Sequence, residues 1–318
     1  MRFENLEIET VLCCVGCGAR ESFVDKKFGS KLCLKTPFAC RKCRNCGLRW
    51  LSPRPTENAY HKIYDYENYF GGSDAEEDYD SVVASRKPVY IDRLKKIKSR
   101  LNWNSSVRLL DIGAATGDFV YEARQVGFIA DGLEISDYAR ERAKNKYGIE
   151  LTRGSLEKPK LTLQKFDVIH LHHVFEHIPR PGEFLRTIWE MLPQDGLLVL
   201  EIPQQVYNDL DRVRMILKGG HLKESFGPYS LHHTYFYTPS TIRLLLEHCG
   251  FVTESLRTAN QFYTPLWPFS LKNSILFLLL QFADKIHHGG NIIELFARKS
   301  EVTGCAKENF KKEAPVPL

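Results

Sequence analysis

The sequence predicts an α/β fold in which a mainly parallel sheet is preceded by a small cysteine-rich module. One observation is the alternation of strand-like and helix-like segments between residues 107 and 202, which indicates βαβ units. The other is the cysteine distribution, since seven of the nine cysteines lie between Cys13 and Cys46. With 318 residues, 43% of them hydrophobic, the chain can bury one large core and a smaller one.

The hydrophobic periodicity of the α/β region predicts its elements in order. Strands are predicted at 107–112, 129–134, 149–152, 166–171, 197–202, 251–256 and 291–298. Helices are predicted at 86–101, 118–125, 137–146, 183–192 and 241–248. The sheet is therefore expected to have seven strands.

These patterns divide the chain into four segments. We expect a cysteine-rich module at 1–56, a linker and leading helix at 57–104, the α/β domain at 105–299 and a flexible tail at 300–318. Within the α/β domain, residues 204–236 break the alternation and are interpreted as an insertion. A loop of that length is usually functional or disordered.

Charge and composition restrict the class of protein. The net charge of +5 is too small to indicate a nucleic-acid partner. The first residues lack the apolar core of a signal peptide, and clustered thiols suit a reducing compartment, so a cytoplasmic location is expected. The most apolar run, 275–280, is far shorter than the about 20 residues of a bilayer span. The sequence gives no indication of the oligomeric state.

A turn of glycines and small residues follows the first strand of the α/β domain, with the sequence Asp111-Ile112-Gly113-Ala114-Ala115-Thr116-Gly117-Asp118. Such residues let the backbone approach a ligand closely. Ala115 and Asp118 stand where a dinucleotide fingerprint has its second and third glycines, and the two aspartates would repel a pyrophosphate. They suit a cationic ligand such as S-adenosylmethionine (SAM). Glu134, which ends the next strand, can accept hydrogen bonds from a ribose diol. The structural alternative is that Asp118 only caps a helix and Glu134 is a solvated strand end.

With these motifs, the chain resembles class I SAM-dependent methyltransferases of the small-molecule group that carries an N-terminal cysteine motif and includes sugar C-methyltransferases. The matching stretches are 109–119, 132–139, 166–169 with 173–179, 191–197 and 245–251. The resemblance implies a Rossmann-like sheet, a zinc-ribbon-like module, SAM as cofactor and a small-molecule acceptor. Such an acceptor is a sugar, a nucleotide-sugar, or a natural-product or lipid-like precursor.

The resemblance also implies which residues contact the cofactor. The candidates are Asp111, Gly113, Ala115, Gly117, Asp118, Glu134, Ser155 and His172. Ala115 replaces the usual middle glycine of the family and adds only a methyl group. Ser155 takes the position of a family aspartate near the adenine. His172 follows the fourth strand, at the edge of the sheet where ligands of such folds bind.

The cysteines form two Cys-x-x-Cys knuckles, each followed by glycine, at Cys14, Cys17, Cys43 and Cys46. Four thiolates at this spacing make a tetrahedral structural zinc site. Cys13, Cys33 and Cys40 leave the ligand set open, because Cys40 and Cys43 form another such pair. The resemblance favours the two knuckles. The alternative is a set of unliganded or redox-active thiols.

Two histidine-rich segments, 172–177 and 229–235, are expected to meet beyond the carboxyl ends of the strands. The resemblance places His233 at a family histidine that acts as general base, His232 at the glutamate before it, and Tyr229 one position from a family tyrosine. Glu176 and His177 are interpreted as residues that fix the loop after the fourth strand. A divalent ion held by that loop is not expected, because His173 replaces an acidic ligand.

Two other functions compete with a small-molecule methyltransferase. One is an RNA or protein methyltransferase that docks its polymer on the basic cysteine module. The other is a non-catalytic zinc-binding protein with a degenerate Rossmann domain. The intact Asp111, Gly113, Gly117 and Glu134 argue against the second alternative.

Overall fold

The computed structural model describes residues 7–32, 34, 37–56, 59, 76–101, 106–154, 164–206, 208, 233–260, 282, 286 and 289–300, with the backbone alone for 76–85. Within these ranges no helix is both long enough and apolar enough to cross a membrane. The predicted insertion at 204–236 and the predicted tail at 300–318 lie mostly outside the described residues.

Thirteen strands and six α-helices make up the described fold. The strands are β1 (Ile8–Glu9), β2 (Ser22–Val24), β3 (Cys40–Cys43), β4 (Arg49–Leu51), β5 (Arg54–Pro55), β6 (Arg108–Ile112), β7 (Ile129–Glu134), β8 (Thr152–Arg153), β9 (Val168–His172), β10 (Leu197–Pro203), β11 (Tyr235–Phe236), β12 (Phe251–Ala259) and β13 (Ile292–Lys299). The helices are α1 (Lys26–Lys31), α2 (Glu76–Lys98), α3 (Asp118–Gln125), α4 (Asp137–Tyr147), α5 (Pro181–Met191) and α6 (Pro239–His248).

The large sheet has seven strands in the order β12-β13-β10-β9-β6-β7-β8. The pairs from β10 to β8 are parallel, whereas β13 runs antiparallel to both β10 and β12. This arrangement confirms the mainly parallel, seven-stranded sheet predicted from the sequence. Leading helix α2 begins ten residues before its predicted start at residue 86.

Local sequence explains where the helices that flank the cofactor turn begin and end. The side chain of Ser136 caps α4 by accepting from Ala139 N, and Gly148 ends the helix at φ +67°. Helix α3 begins after Gly117, whose φ of +78° lies in the left-handed region that favours glycine. Both helices therefore start directly at the carboxyl ends of parallel strands.

A second sheet of four strands, in the order β11-β4-β3-β2, carries the cysteine module. Its edge strand β11 lies at the end of the predicted insertion 204–236 and pairs Tyr235 with Trp50. Cys14, Leu48 and Trp50 of the module share one buried core with Leu246 of α6. The module is thus joined to the α/β domain by strand pairing and by a common core.

Buried ion pairs attach α2 to the centre of the large sheet. Arg93 is 2% exposed and contacts Glu201 of β10 and, at 2.9 Å, Glu294 of β13. Lys96 and Arg257 also contact Glu294. Burial alone would raise the pKa of Glu294, but these three cations lower it to about 2.

Candidate active site

The turn between β6 and α3 is held in a left-handed backbone conformation at three positions. Gly113, Ala115 and Gly117 have φ values of +72°, +47° and +78°. A Cβ atom on Gly113 would collide with Val174, so this position requires glycine. Ala115 adopts its positive φ as a non-glycine residue, which costs about 1–2 kcal/mol. The turn therefore packs directly against the segment that follows β9.

Glu134 closes this turn from the neighbouring strand. Its two carboxylate oxygens accept from the backbone N–H groups of Ala115 and Ser136, each at 2.8 Å. Burial raises the pKa of Glu134, although these backbone donors oppose the shift. A carboxylate has about four acceptor positions, so capacity remains for the hydroxyls of a ribose. The residue is buried, with 7% of its surface exposed.

The other two predicted carboxylates have protein partners. Asp111 is buried and lies 2.7 Å from Nδ1 of His170, whose ring stacks on Phe119. Asp118 accepts from Thr116, from Tyr147 at 2.5 Å and from Lys146 at 3.2 Å. A buried carboxylate needs such partners because desolvation is costly. Asp111 and Asp118 are thus held in fixed positions at the two ends of the turn, and their contact with the cofactor stays a prediction.

His172 ends β9 at the level of Gly113 and contacts the buried ion-pair network. Its Nε2 lies 2.7 Å from Oε1 of Glu201, which also binds Arg93. Burial lowers the pKa of His172 well below its ordinary value, and the nearby positive charges lower it further. This imidazole is accordingly neutral, at the edge of the sheet where the cofactor is expected.

Glu176 is a buried carboxylate surrounded by histidines. It lies in a 3₁₀ turn (Phe175–His177), 3.6 Å from His173 Nδ1 and 3.7 Å from His177 Nε2, which are ion-pair distances. Burial would raise its pKa, but His177, His173 and His233 together lower it to about 2. His173 adopts a positive φ of +54°, so the backbone is strained where this cluster begins.

The second histidine segment reaches the same cluster, as the sequence predicted. Thr234 N donates to the carbonyl of Glu176 at 2.9 Å, and the Thr234 hydroxyl donates to the carbonyl of His177 at 3.2 Å. The rings of His233 and His177 are 4.8 Å apart and nearly perpendicular. His233 Nδ1 also lies 2.7 Å from Oε1 of Gln205. The potential ligand atoms of Glu176, His177 and His233 lie within 4.8 Å of one another, close enough to hold a metal ion.

Arg54 of the cysteine module holds both histidine segments. Its guanidinium is buried and donates to Glu9 at 2.6 Å, to the Tyr235 hydroxyl at 2.9 Å and to the carbonyl of Pro179 at 3.0 Å. Tyr235 follows His233 by two residues, and Pro179 follows His177 by two. Sequence reasoning missed Arg54 and Gln205. For Gln205 one signal was available, because it follows β10 at the ligand edge of the sheet.

Three predicted site residues lie outside the described residues. They are Ser155, Tyr229 and His232. The remaining predictions for the cofactor turn and for His233 fall on one edge of the large sheet, where β6, β7, β9 and β10 end.

The two cysteine knuckles converge as predicted. Sγ of Cys14 lies 3.4 Å from that of Cys46, and Sγ of Cys17 lies 3.6 Å from that of Cys43. Tetrahedral bonds of about 2.3 Å to zinc put sulfurs about 3.8 Å apart, so this donor set fits the metal. Cys13 is exposed and outside the cluster. Cys40 is also outside it, buried against Phe28 and Phe236, while Cys33 is not among the described residues.

Comparisons with known proteins agree with this geometry. Residues 83–256, more than half of the chain, match a family described as a methyltransferase domain. The chain is 30% identical over 100 residues to the ubiquinone biosynthesis O-methyltransferase of a Caulobacter species, covering 30% of this chain and 40% of that protein. It is 28% identical over 118 residues to the mitochondrial ubiquinone biosynthesis O-methyltransferase of Schizosaccharomyces pombe, covering 35% and 43%. The chain thus spans less than half the length of these two relatives.

A solved structure shows the same fold. Magnesium protoporphyrin IX methyltransferase from Synechocystis PCC 6803, solved with bound SAH, superposes with a TM-score of 0.50 and 13% identity, covering 77% of this chain and 100% of that one. The strand order, the glycine turn and the family match are mutually consistent. This chain therefore contains a class I SAM-dependent methyltransferase domain and belongs to the methyltransferase domain family.

Proposed function

We propose that this protein transfers the methyl group of SAM to a small-molecule acceptor, with His233 as the general base. One connection in the fold carries the proposal. Gly113 of the glycine turn packs against Val174, and Glu176, two residues later, holds Thr234 beside His233 by a backbone hydrogen bond. A cofactor on the turn and an acceptor at the histidines would thus be neighbours. Such alignment supplies much of the acceleration of a displacement reaction.

The glycine turn and Glu134 would hold the cofactor, which supplies an electrophilic methyl group when bound. Gly113, Ala115 and Gly117 give the backbone its close approach, and the Glu134 carboxylate accepts from the ribose hydroxyls. Asp111 and Asp118, whose carboxylates are held by buried partners, are proposed to contact the cofactor at the two ends of the turn. His172 lines the same edge, and Ser155 is proposed to contact the adenine, as the family resemblance implies.

His233 would accept the proton that the acceptor loses. An imidazole with an ordinary pKa of about 6.5 is suited to this task near neutral pH. The buried Glu176 carboxylate stabilises the imidazolium that results, because opposite charges attract strongly in a site of low dielectric constant. His232 and Tyr229 belong to the same segment and are proposed to orient the acceptor.

The acceptor is proposed to be a sugar, a nucleotide-sugar, or a natural-product or lipid-like precursor. The resemblance to sugar C-methyltransferases supports the first two. The names of the relatives place them in ubiquinone biosynthesis, which supports a small molecule more generally.

Structural zinc is proposed for Cys14, Cys17, Cys43 and Cys46 within the module of residues 1–56. Four thiolates leave no open coordination position, so this metal would support the fold and not the chemistry. The module contributes Arg54 to the histidine segments, which gives it a function in the shape of the acceptor site.

Calorimetry with S-adenosylhomocysteine (SAH) tests the cofactor site. Glu134→Ala is expected to weaken binding at least about 100-fold, because two hydrogen bonds to a charged acceptor contribute about 1.5–3 kcal/mol each. Glu150→Ala is the control, since Glu150 is exposed and its carboxylate forms an ion pair with Lys144, away from the turn. Equal affinity in wild type and Glu134→Ala would contradict the assignment, and so would failure of the wild type to bind SAH at millimolar concentration.

Transfer of tritiated methyl groups from SAM tests the reaction. Extracts of the source cell are separated into a small-molecule fraction and a macromolecular fraction, and each is incubated with wild type or His233→Ala. Label is expected in the small-molecule fraction and only with the wild type. Label confined to protein or RNA would replace this proposal by the polymer-modifying alternative.

A further inference from the structure

We infer that Gln205 is a positioning residue that fixes the tautomer of His233, so that the Nε2 atom of the imidazole is the basic one. The inference rests on His233 as the base of the proposed function and assigns a function to a residue that neither the sequence pattern nor the family resemblance singled out.

The first support is the contact itself. Nδ1 of His233 lies 2.7 Å from Oε1 of Gln205. A carbonyl oxygen only accepts hydrogen bonds, so the proton of the neutral imidazole must be on Nδ1. The lone pair is then on Nε2, which becomes the atom that can take a proton from an acceptor.

The second support is the rigid backbone beneath Gln205. The preceding residue, Gln204, is fully buried: its backbone N–H donates to Asn291 at 2.7 Å, and its side chain donates to the carbonyl of Gly290 at 3.0 Å. Asn208 donates to the carbonyl of Gln204 at 2.9 Å. These bonds fix the end of β10 on the sheet, so Gln205 is held at a defined place.

The third support is the charge of the partner. An amide orients the imidazole without adding a negative charge, whereas a carboxylate at the same place would favour the imidazolium. The groups that face His233 include His177 and Glu176 from the 3₁₀ turn and Gln205 from the end of β10. Of these three, Glu176 supplies negative charge, whereas the neutral Gln205 controls the tautomer.

Nuclear magnetic resonance of full-length protein labelled with ¹⁵N-histidine tests this assignment without any acceptor. The two ring nitrogens of a neutral histidine differ strongly in ¹⁵N shift according to which one carries the proton. The signals of His233 are identified by their loss in His233→Asn. Wild type is expected to show a protonated Nδ1 and an unprotonated Nε2.

Two substitutions of Gln205 then separate orientation from charge. Gln205→Met removes the acceptor at similar volume, and His233 is expected to lose its single tautomer and show averaged ring shifts. Gln205→Glu keeps an acceptor, so the Nδ1–H form is expected to persist while the midpoint of the His233 titration rises by about 1 pH unit or more. Gln194→Glu is the control, because Gln194 is exposed and bonds only weakly to Ser300.

The outcomes are distinct for the inference and for the proposed function. A wild-type His233 protonated on Nε2, or an unchanged tautomer in Gln205→Met, would overturn the inference while leaving His233 as a base. Conversely, normal methyl transfer by His233→Ala would end the proposed function, even if Gln205 proved to control the tautomer as described.

Discussion

The two ends of the candidate site are built in opposite ways. The cofactor end comprises the glycine turn and Glu134, all within the continuous βαβ stretch 111–134. The acceptor end joins Arg54, His177, Gln205 and His233, which come from four separate parts of the chain. In the proposed site, methyl-donor binding would therefore depend on local sequence, whereas the acceptor chemistry would depend on how the cysteine module and strand β11 are assembled.

The largest expected effect on metal content and methyl transfer comes from disrupting the proposed zinc site. Cys46→Ser replaces one of four sulfurs, and a structural zinc site contributes about 10–16 kcal/mol in zinc-finger peptides. We expect the zinc content to fall from one per chain to none and methyl transfer to be lost, with SAH affinity retained. Metal analysis of untagged protein and calorimetry measure the two quantities. Cys13→Ser is the control, since Cys13 lies outside the cluster. Parallel loss of SAH binding would mean that the two ends are not separable.

A smaller effect is expected from Arg54→Ala, which leaves the metal site in place. Removing the buried Arg54 guanidinium breaks its hydrogen bonds to Tyr235 and Pro179, and each bond of a charged group contributes about 1.5–3 kcal/mol. Loss of the Arg54 contacts with Tyr235 and Pro179 should lower the melting temperature and the rate of methyl transfer, with SAH affinity unchanged. Arg41→Ala is the matched control, because the Arg41 side chain donates its hydrogen bonds to Ser22 within the module. A weaker SAH complex in Arg54→Ala alone would place this arginine at the cofactor end.

The ion-pair network of Glu294, which supports both ends of the site, should stabilise the protein less at low pH. The pKa of Glu294 is about 2 in the fold, below its ordinary 4.5, so its ion pairs stabilise the protein fully above pH 4.5 and progressively less as the pH falls toward 2. The difference corresponds to on the order of 3 kcal/mol. The free energies of unfolding of wild type and Glu294→Gln, measured with urea, should therefore differ clearly at pH 7 and much less at pH 3. An equal difference at both pH values would exclude the Glu294 carboxylate as the source of the pH dependence.

The smallest effect concerns the backbone of the cofactor end. Ala115→Gly removes the cost of a positive φ, in part offset by the greater freedom of glycine in the unfolded chain, for a net gain of up to about 1 kcal/mol. The melting temperature should rise by about 2–4 °C, with SAH affinity unchanged. Ala114→Gly serves as the opposite control, since Ala114 is buried against Gly132 and its loss should destabilise. A lower melting temperature for Ala115→Gly would show that the turn is not strained there.

The same contrast explains how much the sequence could predict. Strands β6, β7 and β10 and helices α3, α4 and α6 follow from local periodicity and capping, and their observed bounds agree with the predicted ones to within two residues. The cysteine cluster followed from the spacing of the two knuckles together with the family resemblance, which favoured them over the alternative pair of Cys40 and Cys43.

Long-range contacts could not be predicted in this way. Strand β11 has only two residues and pairs with β4 across most of the chain, so it leaves no periodic signal. The contacts of Asp118 with Lys146 and Tyr147 of α4 likewise leave no signal in the sequence, because these residues lie 28 and 29 positions away. Arg54 resembles any surface arginine of a basic module until Tyr235 and Pro179 are placed around it. These residues acquire their contacts only from the tertiary fold.

The pairing of β11 with β4 also means that the second sheet can be completed only late in synthesis of the chain. β4 is complete at Leu51, but its neighbour begins at Tyr235, so at 5–20 residues per second a ribosome supplies the missing edge only after about 10 to 40 s. During that interval β4 lacks its hydrogen-bonding neighbour β11. The indole of Trp50, which is fully buried in the folded protein, also lacks the contacts that this strand brings. The nascent chain thus exposes an unpaired strand edge early in translation. Chaperones, or early capture of the proposed zinc by the knuckles, would protect this edge from aggregation.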